Sequence, residues 1–249
     1  MLEIIYEDED LIAINKPHGL LVHRSSIARD AEEFAIQLLR DQIGQKVYPV
    51  HRIDRKTSGV LLFAKNEEMN SRLQVMFMNN EVRKKYHAIV RGYTPEIGEI
   101  DYPLKNENGK SLEAKTNYKL IEKFEIDLPN GKHATSRYSL IKVTPESGRM
   151  HQIRRHMAHV FHPIIGDRPH GCNKQNKLLL EAFGLKEMML HASLLSFIHP
   201  VKNENIEISA NASSTFEEIL KIMRNKKGPE GPHISQLADQ LLHRPFCFL

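Results

Sequence analysis

Within the six residues His51 to Lys56, a histidine, two arginines and a lysine surround one carboxylate, Asp54. Nearby cations favour the ionised form of an acid. An ionised aspartate held in a fixed direction can serve as a nucleophile or a base. The same cations can also grip a phosphate backbone. The plainer alternative is a turn in which Asp54 pairs with an arginine for structural reasons. Downstream, Thr57-Ser58-Gly59 supplies turn chemistry, and Val60-Leu61-Leu62-Phe63-Ala64 is a short apolar run of the kind that makes a buried strand. The acid therefore sits on a loop carried by a rigid element.

A second chemical stretch runs from Pro145 to His162. Gly148 ends a strand and a helix begins near Met150, with Ile153, Met157 and Val160 as its buried stripe. Arg154 lies beside that stripe and can reach sideways into a cleft, which makes it the candidate counter-ion of Asp54. Bidentate pairing would keep Asp54 charged and oriented. His156, His159 and His162 are spread around the helix with no carboxylate or cysteine at a ligand spacing, so they read as phosphate contacts or plain surface and no metal is expected. Tyr86, on a strand from Lys84 to Arg91, is either a packed tyrosine or a flat cleft surface for a base.

These residues need elements to position them. Leu2 to Tyr6 and Leu11 to Asn15 form a hairpin around the acidic turn Glu7 to Asp10, and Pro17 and Gly19 stop the second strand. Helices are predicted over Asp30 to Ile43, with Gly44 as the stop, and over Asn66 to Asn79. Thr94 to Gly109 reads as loop. Lys115 to Ile126 and Thr135 to Thr144 read as antiparallel strands joined through Pro129-Asn130-Gly131, the pair half exposed. Met189 to Phe197 and Ile206 to Ser209 close the sheet. A helix from Ser214 to Met223 opens on the capping box Ser214-x-x-Glu217. Strands and helices mix without strict alternation, so the expected class is α+β with a largely antiparallel sheet. Residues 1–225 form the expected catalytic domain. Residues 226–249 are a linker (Asn-Lys-Lys-Gly-Pro-Glu-Gly-Pro leads into it) and a tail.

With 249 residues, 41% of them hydrophobic, the chain can bury one large core. A net charge of only +4 means that any basic footprint is local. The patches are Arg52/Arg55/Lys56, Arg83/Lys84/Lys85 and Arg149/Arg154/Arg155. Two distant cysteines, Cys172 and Cys247, make neither a disulfide framework nor a zinc motif. The absence of a spanning apolar stretch or signal peptide reads as a cytoplasmic protein.

His51-Arg52-Ile53-Asp54-Arg55-Lys56-Thr57-Ser58-Gly59 resembles the signature of the large-subunit/tRNA branch of the pseudouridine synthases. Five further stretches match in order: Asn15 to His23, Lys84 to Gly92, Ser147 to His156, His162 to Asp167, and Leu190 to Ala192. The resemblance covers residues 2 to about 223. It implies a long mixed sheet with flanking helices around a central catalytic cleft, and an isomerase that breaks the N1–C1′ bond of a uridine in RNA and rejoins the uracil through C5. It implies Asp54 as nucleophile, Arg154 as its partner and Tyr86 stacked on the flipped uracil. Arg52 would enter the vacated space, and Arg52, Arg55, Lys84 and Arg155 would hold RNA. No cofactor is needed, because nothing is oxidised and no energy is supplied. The basic run Arg154 to His159, Arg40 to Gln45, and Val22 to Ser25 resemble members that act on tRNA, at uridine 65 of the T-stem. The chain also opens directly on the first matching stretch, without a small RNA-binding domain. Ribosomal RNA is the alternative substrate. A non-catalytic RNA-binding or RNA-folding protein is the alternative of another class.

Overall fold

The computed structural model describes residues 1–23, 33–131 and 133–225. The expected tail and linker, Arg24, Ser25, the predicted start of the first helix at Asp30, and Cys247 lie outside the described residues. A ten-stranded mixed sheet dominates. Its strands are β1 (Glu3–Glu7), β2 (Leu11–Lys16), β3 (Tyr48–Pro49), β4 (Ser58–Ala64), β5 (Arg83–Arg91), β6 (Ile97–Asp101), β9 (Lys115–Ile126), β10 (Ser136–Pro145), β11 (Leu190–Ile198) and β12 (Asn205–Ser209). The short pair β7 (Leu104–Lys105) and β8 (Ser111–Leu112) stands apart as a hairpin. Along the main path the order is β1-β2-β4-β11-β5-β10-β9-β6. Every pairing is antiparallel except β4 with β11. Five helices among the described residues flank it: α1 (Ala35–Ile43), α2 (Glu67–Met78), α3 (Gln152–His159), α4 (Asn173–Phe183) and α5 (Ser214–Arg224).

β4 is central because every one of its residues is buried. Successive strand residues point to opposite faces. Val60, Leu62 and Ala64 therefore pack with Met69 and Leu73 of α2, while Leu61 and Phe63 pack with Ala35 and Leu39 of α1. At about 1.5–3 kcal/mol per fully buried large apolar side chain, this run is a firm base for the loop before it.

The half-exposed expectation holds for β9 and is corrected for β10, which is covered on both faces. Tyr138 and Leu140 meet α4 and α5; Ile141 and Val143 meet Ile153 and Met157 of α3. The covering layers come from distant segments, and α4 carries no signal that the sequence reading used. Two smaller corrections follow. The predicted loop at 94–109 contains β6 and β7. The α5 cap is Ser213, whose hydroxyl accepts from Phe216 N at 3.2 Å, not Ser214. α1 ends as predicted at Gly44, in the left-handed region at φ 66°.

Candidate active site

Asp54 sits on the loop between β3 and β4. Its carbonyl accepts from Thr57 N at 3.0 Å, closing the turn. Behind it lies Lys16, fully buried at the end of β2. Its ammonium donates to the carbonyls of Pro17 (2.9 Å), Leu20 (2.8 Å) and Arg55 (3.1 Å). Gly19 N donates to Arg55 O at 2.8 Å, and Arg55 Nε returns a bond to Gly19 O at 3.0 Å. The Lys-Pro-His-Gly stop and the Asp54 loop are thus stitched into one unit. Burial pushes Lys16 down to about 7, and the charge of Asp54 acts in the opposite direction.

The loop's far end is locked by β11. Ser58 and Gly59 pair with His191 and Ala192, and Ser58 Oγ lies 2.9 Å from His191 Nδ1. Gly59 has φ +106°, and a Cβ there would fall 2.2 Å from Ala192 O. Only glycine lets the two backbones come this close. The His51 ring stacks on Phe77 at 4.8 Å, and its Nε2 accepts from Leu62 N at 3.0 Å. Removal from solvent pushes His51 down to about 3, so it is neutral, with its proton on Nδ1.

Arg154 comes to Asp54 from α3. Its Nη1 donates to Asp54 Oδ2 at 2.9 Å. Its Nε and Nη2 grip Asp167 Oδ2 and Oδ1 at 2.7 and 2.8 Å. Sequence alone suggests a bidentate Asp54; the fork belongs to Asp167, and Asp54 takes one N–H from Nη1. The Arg154 and Asp167 side chains are 5% and 1% exposed, whereas Asp54 is 24% exposed, so one carboxylate holds the arginine and the other faces the cleft. Burial opposes the charge on Arg154, yet the two carboxylates hold its pKa above the ordinary value. Buried Gln152 fixes the loop before α3: its Oε1 accepts from Ser147 Oγ and Arg149 N, and its Nε2 donates to Lys115 O and Thr116 Oγ1. His151, which caps α3 at φ 54°, puts Nε2 3.9 Å from Asp54 Oδ2, and its Nδ1 lies 2.9 Å from His170 Nε2.

Around Asp54 opens a cavity lined by Arg52, Lys84, Tyr86, His151 and Arg154, with Phe77 and Met78 of α2 on one wall. Arg52 is exposed at its rim. Tyr86 packs between the α1 and α3 clusters, and burial, reinforced by the Asp54 charge, raises its phenol well above the ordinary tyrosine range. Arg55 and Arg155 do not line this cavity. Arg55 lines a separate hollow with Pro17, His18 and Gln42, and Arg155 donates to Lys105 O at 2.9 Å, pinning the β7–β8 hairpin. His156, expected at the surface, is fully buried: its Nε2 donates to Tyr102 O and its Nδ1 accepts from Thr116 Oγ1, both at 2.9 Å. His159 stacks on Tyr102 and His162 bonds Arg91 O, so the three histidines serve three different contacts.

Residues 10–159 match the family model described as RNA pseudouridylate synthase. The tRNA pseudouridine synthase C of Vibrio cholerae is 47% identical over 231 residues, spanning 88% of this chain and 95% of that protein. Its counterpart from Haemophilus ducreyi is 50% identical over 219 residues, 84% and 90% of the two chains. This chain belongs to the RNA pseudouridylate synthase family. The fold agrees: the human RNA pseudouridylate synthase domain containing 4 superposes with a TM-score of 0.68 at 24% identity, covering 89% of this chain and 93% of that one. Human domain containing 1 superposes at 0.67 and 20% identity, covering 92% and 97%.

In this pseudouridine synthase all six matching stretches converge on one cleft or its supports. Asn15 to His23 supplies Lys16, and Leu190 to Ala192 supplies the backbone against Gly59. Lys16 and Asp167 were missed as site residues although both stand inside those stretches. Nothing in Lys16's type announces a buried ammonium, and Asp167 gains its role only through a fork that spans thirteen residues. No helix among the described residues is long and apolar enough to cross a membrane.

Proposed function

We propose that this chain converts a uridine of tRNA to pseudouridine, with Asp54 as the nucleophile. The observation that carries this reading is the split arginine: Arg154 is anchored by Asp167 and offers an Nη1 N–H to Asp54, which keeps one side open to the cleft. That arrangement aims the carboxylate without burying it. The relatives that the chain matches over most of its length are named for tRNA, and uridine 65 of the T-stem is the target we infer.

A uridine inside a stem is out of reach until it is extruded. Arg52 stands exposed at the rim, where it can fill the vacated space, and Lys84 lies on the wall beside it. Tyr86 keeps its phenol proton under the combined influence of burial and Asp54, which suits a stacking surface. Asp54 attacks C1′ of the sugar or the base ring, the N1–C1′ bond breaks, the uracil turns within the cavity, C5 takes the bond to C1′, and the bond to Asp54 breaks to restore its carboxylate. The proton on C5 then leaves and N1 gains one, so nothing is consumed. Arg55 and Arg155, which do not line the cavity, are assigned to backbone contacts outside it.

The test is the purified chain with a tRNA transcript, read by mapping pseudouridines, alongside total RNA from cells with and without the gene. Asp54→Asn is expected to lower turnover by about 10⁴-fold or more. It should cost less than about 1 kcal/mol of stability, because Arg154 keeps Asp167. Retained turnover would overturn the nucleophile. Pseudouridines lost from ribosomal RNA instead would overturn the substrate.

A further inference from the structure

We propose that His151, backed by His170, is the base that removes the proton from C5 before pseudouridine is released. The inference rests on the reading of Asp54 as the centre of the reaction and extends it to the last chemical step. Among the described residues, the ionisable cations within 4.0 Å of the Asp54 carboxylate are Arg154 and His151, and Arg154 already has both carboxylates on its fork. His151 is the one with a nitrogen to spare. Its Nδ1 is engaged with His170 Nε2 at 2.9 Å, and its Nε2, on the cavity side, stands 3.9 Å from Asp54 Oδ2.

The geometry of the pair gives it two states. With the shared proton on His151 Nδ1, Nε2 presents a lone pair to the cleft. With it on His170 Nε2, His151 carries its own proton on Nε2 and presents an acid. When Nε2 takes a proton from the cleft, the shared proton passes to His170 and His170 releases one from Nδ1, so base becomes acid without either ring moving. His170 is itself held by a backbone N–H to Asp167 Oδ1 at 3.4 Å, so the dyad hangs on the same carboxylate that anchors Arg154. The groups facing His151 are Asp54, Asp167, Arg154, Arg155 and His170. Burial lowers both imidazoles, and the arginines act in the same sense against the two carboxylates, so both rings are neutral near pH 7.

Two other groups on the cavity are already engaged. Tyr86 holds its proton, and the Nε2 of His51 is taken by Leu62 N. In the step proposed, the C5–H bond breaks toward His151 Nε2. Its electron pair becomes the C5=C6 double bond, the N1=C6 pair moves onto N1, and N1 takes a proton from solvent. His151 passes the proton it gained through His170.

His151 sits at φ 54°, so glycine can replace it without backbone strain. On the RNA that the wild type modifies, His151→Gly is expected to lower turnover about 100-fold with RNA affinity unchanged. Deuterium at C5 of the substrate uridine should then slow the variant, and added imidazole should restore part of the rate. His170→Asn should lose about tenfold and shift the acid limb of the pH–rate profile, a change that packing alone would not produce. Wild-type rates in His151→Gly would overturn the proposal. So would a slow variant that shows neither an isotope effect nor imidazole rescue. If His151→Gly fails to fold in a thermal melt, a normal pH profile and no isotope effect in folded His170→Asn would overturn it as well. An active Asp54→Asn enzyme, by contrast, would sink the underlying reading and leave a different signature.

Discussion

The two carboxylates on Arg154 differ in almost every physical respect but charge. Asp167 is 1% exposed, takes two bonds from the fork, receives a backbone N–H from His170 and supplies its carbonyl to Asn176. Asp54 is 24% exposed and takes one bond. The same contrast runs through the rest of the site. Lys16 and Gln152 are buried with their side-chain polar atoms fully hydrogen-bonded, while Arg52, His151 and Asp54 keep one side toward the cavity. Rigidity and reactivity are thus assigned to different residues, and an ion pair buried on one side makes an ion pair on the other side available.

Breaking the buried half should do the most harm to the fold. Asp167→Asn leaves the Arg154 charge half compensated inside the protein, and we expect a loss of about 3–5 kcal/mol. Turnover should fall with it. Chemical denaturation would measure this, and a variant as stable as the wild type would erase the distinction between the two acids. Next in size is Arg154→Lys. An ammonium cannot span both carboxylates, so about 2 kcal/mol and most of the turnover should be lost, with RNA affinity little changed. Normal kinetics in that variant would mean that the fork is dispensable.

The smallest expected effect sharpens the contrast through pH. His51 is held near 3 when folded, against an ordinary value of 6.5. Between those values the unfolded chain binds a proton that the folded chain refuses, so stability falls as pH drops from about 6.5 toward 3 and is level above. His51→Gln, whose side-chain carbonyl can still accept from Leu62 N, should flatten that slope in urea titrations. An unchanged slope would assign the acid sensitivity elsewhere.

Much of the framework was legible because it rests on local pattern. The apolar run Val60 to Ala64 announces β4, Gly44 announces the end of α1, and Asn66 to Asn79 has the helical period of α2. What failed was what distant segments decide. Alternation suggests an exposed face for β10, yet α3, α4 and α5 cover it on both sides. His156 looks like a surface histidine until Thr116 and Tyr102, forty or more residues earlier, close over it. Arg154 was readable as a reaching arginine, but its division between two acids depends on Asp167 folding back under α3.

The parallel contact of Ser58 and Gly59 with His191 and Ala192 joins segments 133 residues apart. A ribosome must therefore deliver roughly three quarters of the polypeptide before the Asp54 loop has its backing. Such late, non-local closure makes folding slow. It also means that a nascent or truncated chain ending before β11 cannot acquire partial activity: competence arrives all at once, with the strand that seals the sheet.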